Sequence, residues 1–184
     1  MRIVGGAHRG RGLRGPSTQA IRPTSDRLRE SLFNIITHAY ENVVADARVI
    51  DVFAGTGALG LEALSRGARF ALFVDDGSEA RALLRENIES LGYGGQTRIY
   101  RRDAQKLGAA PAGPMFTLAF LDPPYGKALA EGALKSLADG NWLAPDALVI
   151  VEETAQAQLA LPAGFALLET REFGDTQLVF LRKL

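Results

Sequence analysis

Two periods of hydrophobic residues run along this chain. Leu28, Leu32, Ile35, Ile36 and Ala39 recur at helical spacing behind Thr24, Ser25 and Asp26, three candidate N-caps, and predict a helix that follows Pro23. From residue 47 short apolar runs take turns with helical patterns. Strands are expected at Ala47–Val52, Phe70–Val74, Thr97–Arg101, Phe116–Leu121 and Ala147–Val151, with helices over about Ala58–Ser65, Ser78–Leu91 and Lys127–Ala138. Phe165–Phe173 and Gln177–Arg182 flank Gly174-Asp175 and predict a closing antiparallel pair. Repeated strand–helix units predict an α/β fold, a mostly parallel sheet covered on both faces, which binds ligands at the carboxyl ends of its strands. Residues 1–24 are rich in Gly and Arg and read as an extended or hairpin-like arm with turns at Gly5-Gly6 and Gly15-Pro16.

Composition narrows the chemistry. The 184 residues suffice for one well-filled domain. Cysteine is absent, which excludes disulfides, thiolate metal sites and a cysteine nucleophile, and two histidines make a histidine-rich metal site unexpected. No metal is therefore expected. No apolar run reaches the roughly 18 residues of a membrane span, and the start lacks the apolar stretch of a signal peptide. A soluble cytoplasmic protein is the expectation, and nothing demands more than a monomer.

The chain is neutral overall, but residues 1–30 hold seven arginines against Asp26 and Glu30, an excess of five positive charges that the remainder offsets. A basic arm on an acidic body suits a polyanionic partner; a solvated segment with chance arginines explains it equally well.

Two motifs fall at expected strand ends. Gly55, Gly57 and Gly60 in Asp51-Val52-Phe53-Ala54-Gly55-Thr56-Gly57-Ala58-Leu59-Gly60 match G-x-G-x-x-G, a weak signal alone. Asp51, just before the glycines, suits a ligand with an ammonium and a sulfonium better than a diphosphate. Asp75 ends the second strand, where a carboxylate can accept bonds from ribose hydroxyls, and Asp103 follows the third, placed to accept from an adenine amine. Each acid alone could simply cap a helix or strand end; three at successive strand ends favour a ligand.

The fourth strand runs into Asp122-Pro123-Pro124-Tyr125. Two prolines stiffen the loop and remove two donors. The Asp122 carboxylate and the Pro123 carbonyl can each accept an N–H from an exocyclic amine whose lone pair is otherwise delocalised into its ring, turning that lone pair toward a methyl donor. Tyr125 offers a ring for an extruded base. A rigid turn is the plainer reading of Pro-Pro, but the tetrapeptide behind a glycine turn is more specific.

These motifs resemble class I, Rossmann-like methyltransferases of amino nitrogens. Gly5-Gly6-Ala7-His8-Arg9-Gly10-Arg11, followed by Arg22-Pro23-Thr24-Ser25-Asp26-Arg27-Leu28-Arg29-Glu30-Ser31-Leu32-Phe33-Asn34-Ile35, is similar to the RsmD family, bacterial methyltransferases of a guanine N2 position in 16S ribosomal RNA. The resemblance implies a seven-stranded, mostly parallel sheet with an antiparallel last strand, in a methyltransferase domain over residues 41–184. Residues 1–40 would form an RNA-facing arm and helix rather than an independent domain. It implies S-adenosylmethionine as methyl donor, and guanine 966 of 16S ribosomal RNA, or of the small subunit in assembly, as acceptor. Site residues carried over are Gly55, Gly57 and Asp75, with Asp103 and Ala104 for adenine, and Asp122, Pro123, Pro124 and Tyr125 for the base; Asp51 joins the cofactor set. Asp75 stands where many relatives carry the longer glutamate.

In that light Arg9, Arg11 and Arg14 become candidate RNA contacts, and Arg22, Thr24, Ser25 and Arg27 could close over the cofactor or guide the RNA. Arg101 and Arg102 could join the RNA face or simply offset Asp103. Leu28, Leu32 and Ile35 are expected as helix core, and Tyr93 and Trp142 as packing residues. The same chemistry on a DNA adenine or a protein glutamine remains an alternative, although the chain has no room for a separate DNA-reading domain. A nicotinamide oxidoreductase would leave Asp-Pro-Pro-Tyr unexplained. A non-catalytic RNA-binding protein on the same fold would not need Asp51, Asp75, Asp103 and Asp122.

Overall fold

The computed structural model describes residues 1–17 and 24–184. Its elements follow the two hydrophobic periods. Helix α1 (Asp26–Ala39) precedes β1 (Arg48–Val52), α2 (Ala58–Ser65), β2 (Phe70–Val74), α3 (Ser78–Leu91) and β3 (Thr97–Tyr100). Then come β4 (Phe116–Leu121), α4 (Leu129–Asp139), β5 (Leu143–Thr154), β6 (Phe165–Phe173) and β7 (Thr176–Lys183). Seven strands form one sheet in the order β3-β2-β1-β4-β5-β7-β6. All neighbours are parallel except β7, which runs antiparallel to both β5 and β6.

Alternate residues of the central strands face opposite cores, as strand geometry requires. Val49, Phe73, Leu118, Phe120 and Ile150 pack under α1, α2 and α3. Ile50, Val52, Leu72, Leu121 and Val149 pack under α4, with Trp142 and Leu107. Trp142 is a packing residue: its ring stacks on Phe116, and its Nε1 donates to the Gly108 carbonyl at 2.9 Å. Tyr93 is likewise buried, edge-on to His8.

Boundaries differ where backbone geometry overrides the pattern. Helix α4 begins at Leu129 rather than Lys127, because Ala128 takes a left-handed conformation (φ 50) that no helix interior admits. Strand β5 is longer than its apolar run. It starts at Leu143, with a register shift against β4 and Asp146 at φ 65, and it continues through Glu152, Glu153 and Thr154, which pair with β7. Polar residues are tolerated there because the ladder satisfies their backbones whatever the side chain. On α1 the buried stripe is Arg29, Leu32, Phe33, Ile35 and Ile36, while Ala39 is exposed and Leu28 only partly buried.

The arginine-rich start is packed rather than free. Ile3 N donates to Arg11 O at 2.9 Å and Leu13 N to Met1 O at 2.9 Å, closing a hairpin over residues 1–13. Ile3 and Leu13 are buried in the same core as α1 and α2. Gly6 sits in the hairpin loop at φ 76, where an added Cβ would lie 1.9 Å from the Ser65 carbonyl oxygen, so the loop can seat on the end of α2 only with glycine there. The turn expected at Gly15-Pro16 does not form; the bend falls at Ser17. Asn87 holds the Arg14 backbone from both sides, accepting from its N–H at 2.7 Å and donating to its carbonyl at 3.1 Å, and so keeps the chain extended past Gly15.

Candidate active site

The carboxyl ends of β1, β2, β4 and β5 open into one cavity of about 630 Å³. Asp51, Gly55, Asp75, Asp103, Ala104, Asp122, Pro123, Pro124 and Tyr125 all line it, so the two sequence motifs and the strand-end acids share a single space.

The glycine turn follows β1. Phe53 (φ 61) and Gly55 (φ 56) both take left-handed backbone, a costly state for a bulky residue such as Phe53. Asp75 holds the turn: its Oδ2 accepts from Gly55 N at 2.9 Å, and its Oδ1 accepts from Gly77 N at 2.8 Å. Asp75 thus ties the ends of β1 and β2 together at the cavity wall. Gly57 is not among the lining residues. An added Cβ there would meet Leu84 at 2.3 Å, and one at Gly60 would meet the Phe73 ring at 2.4 Å. These two glycines let α2 settle against α3 and β2, while Gly55 faces the cavity.

Asp51 is almost wholly buried and accepts from Gly60 N at 2.9 Å. Burial pushes its carboxyl up from 3.8 to about 8; the Gly60 bond opposes this, and the neighbouring Asp75 charge adds to it. A group raised on folding gives its full stability below its unfolded pKa and loses it as pH climbs through the folded one. Asp51→Asn keeps an acceptor for Gly60 but cannot ionise. Its Tm should therefore gain on the wild type progressively from about pH 5 to about pH 8, then level off. A Tm difference independent of pH over that range contradicts the raised carboxyl.

Asp103 is exposed and caps the short turn Ala104–Lys106 through Gln105 N at 2.9 Å, with Ala104 buried beside it. Of the capping roles considered for these acids, Asp103 caps its short turn and Asp51 takes a first-turn N–H of α2, while Asp75 bonds the turns after β1 and β2; all three line the cavity.

The Asp-Pro-Pro-Tyr loop is anchored more extensively than its sequence shows. Pro123 is buried, and Asp122 and Tyr125 are half-buried. The Tyr125 hydroxyl donates to Glu152 Oε1 at 3.0 Å and lies 3.1 Å from Thr176 Oγ1. The Thr24 hydroxyl reaches Asp122 Oδ2 at 2.9 Å and Glu152 Oε2 at 3.2 Å. Glu152, itself buried, brings a second carboxylate to the Asp122 end of the cavity. Sequence reasoning missed it because the apolar run of β5 ends at Val151. The available signal was an acid directly after such a run, as at Asp75 and Asp122.

Thr24 is set by Arg29. This guanidinium is fully buried and donates to the Thr24 carbonyl at 3.2 Å, to Asp26 at 2.8 Å and to Glu62 at 3.4 Å, and also to the Arg2 carbonyl. Glu62, equally buried, also accepts from Val4 N at 3.0 Å and from Arg66 at 2.8 Å. Hairpin, α1 and α2 therefore meet at one ion-pair cluster, which Thr24 connects to Asp122.

The other arginines divide. Arg9 and Arg27 are exposed. Arg11 donates to the Ser90 carbonyl at 2.7 Å, and Arg14 pairs with Glu86 at 3.0 Å, so both lie along α3. Arg22 lies outside the described residues. Arg101 and Arg102 are exposed; Arg102 packs over the Tyr100 ring and donates to the Leu107 carbonyl at 2.6 Å. Among the described residues no cluster of His, Cys, Asp or Glu suits a metal ion, and no helix is long and apolar enough to cross a membrane.

A parallel sheet with a reversed penultimate position, a glycine turn after β1 and Asp-Pro-Pro-Tyr after β4 define a class I methyltransferase, the class that holds S-adenosylmethionine at this end of the sheet. The family described as conserved hypothetical protein 95 matches residues 1–182, and the chain belongs to it, the RsmD family. It is 39% identical to ribosomal RNA small subunit methyltransferase D of Escherichia coli (strain K12) over 168 residues, covering 91% of this chain and 82% of that one. The solved structure of yhhF from Escherichia coli superposes with a TM-score of 0.84 at 33% identity, covering 100% and 97% of the two chains. Magnesium protoporphyrin IX methyltransferase (ChlM) from Synechocystis PCC 6803, solved with bound SAM, has a TM-score of 0.63 over 86% of this chain and 79% of that one. At 16% identity it shows the fold alone.

The lining chemistry fits that cofactor. With Asp51 set aside because burial raises its carboxyl to about 8, six further acids (Asp75, Asp76, Glu79, Asp103, Asp122, Glu152) face two basic residues, Arg102 and Lys127. Such a surplus favours a cationic ligand and opposes the diphosphate of a nicotinamide cofactor.

Proposed function

We propose that this protein transfers a methyl group from S-adenosylmethionine to the exocyclic N2 amine of a guanine in 16S ribosomal RNA, in the cytoplasm, acting as a monomer on the small subunit or its RNA. The observation that carries the reading is the single cavity shared by the glycine turn and the Asp122–Tyr125 loop. When bound, S-adenosylmethionine supplies an electrophilic methyl on a sulfonium. Asp51, Gly55, Asp75, Asp103 and Ala104 would hold it at the β1–β3 side, and Asp122 would face the amine at the β4 side.

Asp122 need not be a strong base. Its carboxylate accepts one amine N–H and, with the Pro123 carbonyl, favours a pyramidal nitrogen whose lone pair points at the methyl. The proton becomes acidic once the nitrogen is alkylated and then passes to the carboxylate or to solvent. Tyr125, held by Glu152 and Thr176, presents its ring edge-fixed beside the base. Exposed Arg9 and Arg27 supply RNA contacts from a hairpin and helix that are rigidly packed on the catalytic core. Arg11 and Arg14 would have to leave α3 partners to join them, at the small cost of exposed pairs.

Incubation with methyl-labelled cofactor and small-subunit particles or RNA from unmodified cells tests the reading. Label is expected in the small-subunit RNA. Label in DNA or protein but not in RNA overturns it.

A further inference from the structure

We propose that Glu152 reads the guanine itself: its carboxylate accepts the N1–H of the target base while Asp122 accepts from the N2 amine. The inference rests on the guanine-N2 reading above and adds a specificity-determining residue to it.

The geometry is a convergence of two carboxylates on one point. Asp122 Oδ2 and Glu152 Oε2 lie 2.9 and 3.2 Å from the same Thr24 hydroxyl oxygen. One hydroxyl carries one proton, so Thr24 donates to one carboxylate at a time. Tyr125 donates to the other oxygen of Glu152 at 3.0 Å, which fixes the plane of that carboxylate and leaves Oε2 directed toward Asp122. Glu152 is 6% exposed, and both acids line the cavity. A buried side chain on the central β5 strand gives a rigid reading group, unlike one on a loop.

Ionised carboxylates only accept hydrogen bonds. The base edges that carry an amine differ in what lies beside it. Guanine places a ring N–H donor next to its N2 amine. Adenine places an acceptor, N1, next to N6, and cytosine an acceptor, N3, next to N4. Two adjacent acceptors therefore complement guanine and set a lone pair against a carboxylate for either other base. A single aspartate in the Asp-Pro-Pro-Tyr loop cannot make this distinction, because every amine offers it a donor. Thr24, 2.9 Å from one carboxylate and 3.2 Å from the other, holds the pair at its spacing while donating its single proton to one of them at a time.

The test compares guanine with 2-aminopurine at the target nucleotide of reconstituted small-subunit RNA or particles. 2-Aminopurine keeps the N2 amine but carries an acceptor at N1. For the wild type, kcat/KM is expected to be roughly 10- to 100-fold higher for guanine. Glu152→Gln keeps an acceptor for Tyr125 and can turn its amide donor to N1 of 2-aminopurine, so the preference should collapse to within a few-fold. S-adenosylhomocysteine binding should persist. A residue with a merely structural role would lower both substrates together and leave the ratio intact. An unchanged ratio in Glu152→Gln overturns the proposal, as does a wild type that methylates both bases equally well. Glu152→Asp is the second variant, should the first not fold; it withdraws the carboxylate by one methylene and is expected to narrow the ratio, and a wild-type ratio there also overturns the proposal. A wild type that leaves guanine unmethylated removes the underlying reading as well, and that failure is visible without any variant.

Discussion

Replacing Asp122 with alanine is expected to lower methyl transfer by about a hundredfold to a thousandfold while leaving the affinity for S-adenosylhomocysteine little changed. The reason lies in the acceptor rather than the donor. An amine conjugated with a ring has no lone pair ready for attack, so the nitrogen must be pyramidalised by acceptors fixed before it arrives. Asp122 is so fixed: its N–H reaches the Val52 carbonyl at 3.4 Å, its side chain meets Thr24, and two prolines follow it. Alanine removes the accepting group and leaves the glycine turn untouched, since Asp51 and Asp75 make their bonds to Gly60, Gly55 and Gly77 without it. Asp122→Asn retains one accepting oxygen and should fall between wild type and alanine. Single-turnover rates and calorimetric binding of S-adenosylhomocysteine separate the two effects. Turnover equal to the wild type refutes the role given to Asp122, and a parallel loss of cofactor binding assigns it to the cofactor instead.

Replacing Arg29 with alanine is expected to cost about 3–5 kcal/mol of unfolding free energy, toward the lower end. The guanidinium and Glu62 are both fully buried. Removing one strands the other charge, although Val4 N and Arg66 still serve Glu62 and soften the loss. The lost bonds to the Arg2 and Thr24 carbonyls should also loosen the hairpin and the start of α1. Glu62→Gln removes the stranded charge and keeps an accepting oxygen for the donors that remain, so Arg29→Ala with Glu62→Gln should recover part of the stability that Arg29→Ala loses. Urea unfolding measures this directly. A double variant as unstable as Arg29→Ala, or a single variant within about 1 kcal/mol of the wild type, contradicts the isolated-charge explanation.

Much of the fold is legible because its strands and helices have clean periods. Phe70–Val74, Ser78–Leu91 and Phe116–Leu121 emerge with the bounds their hydrophobic patterns predict. What escapes the pattern is long-range. Nothing in Arg29-Glu30-Ser31 distinguishes a buried arginine from its exposed neighbour Arg27; the Arg2 carbonyl, 27 residues back, and Glu62, 33 residues on, are partners that no local pattern announces. Ile3 and Leu13 are too sparse to announce a buried hairpin, and the seat for its loop is the Ser65 carbonyl on another element. The glycine before α2 and the one in its first turn look alike with Gly55 in the motif, but Leu84 and Phe73 decide that Gly57 and Gly60 serve packing. Glu152 escapes because β5 continues through polar residues, where pairing with β7 rather than burial of an apolar face sustains the strand.

The central claim, methyl transfer to a guanine N2 amine, is tested most directly by mapping the modified nucleotide. Small-subunit RNA from cells lacking this protein is incubated with the purified protein and S-adenosylmethionine, then digested in one portion to nucleosides and in another to oligonucleotides with a base-specific ribonuclease, and both are analysed by mass spectrometry beside an untreated sample. N2-methylguanosine at a single position, present only after incubation and lost with Asp122→Ala, is the predicted result. A methyl group found on adenine or cytosine, or on a ring nitrogen of guanine, contradicts it.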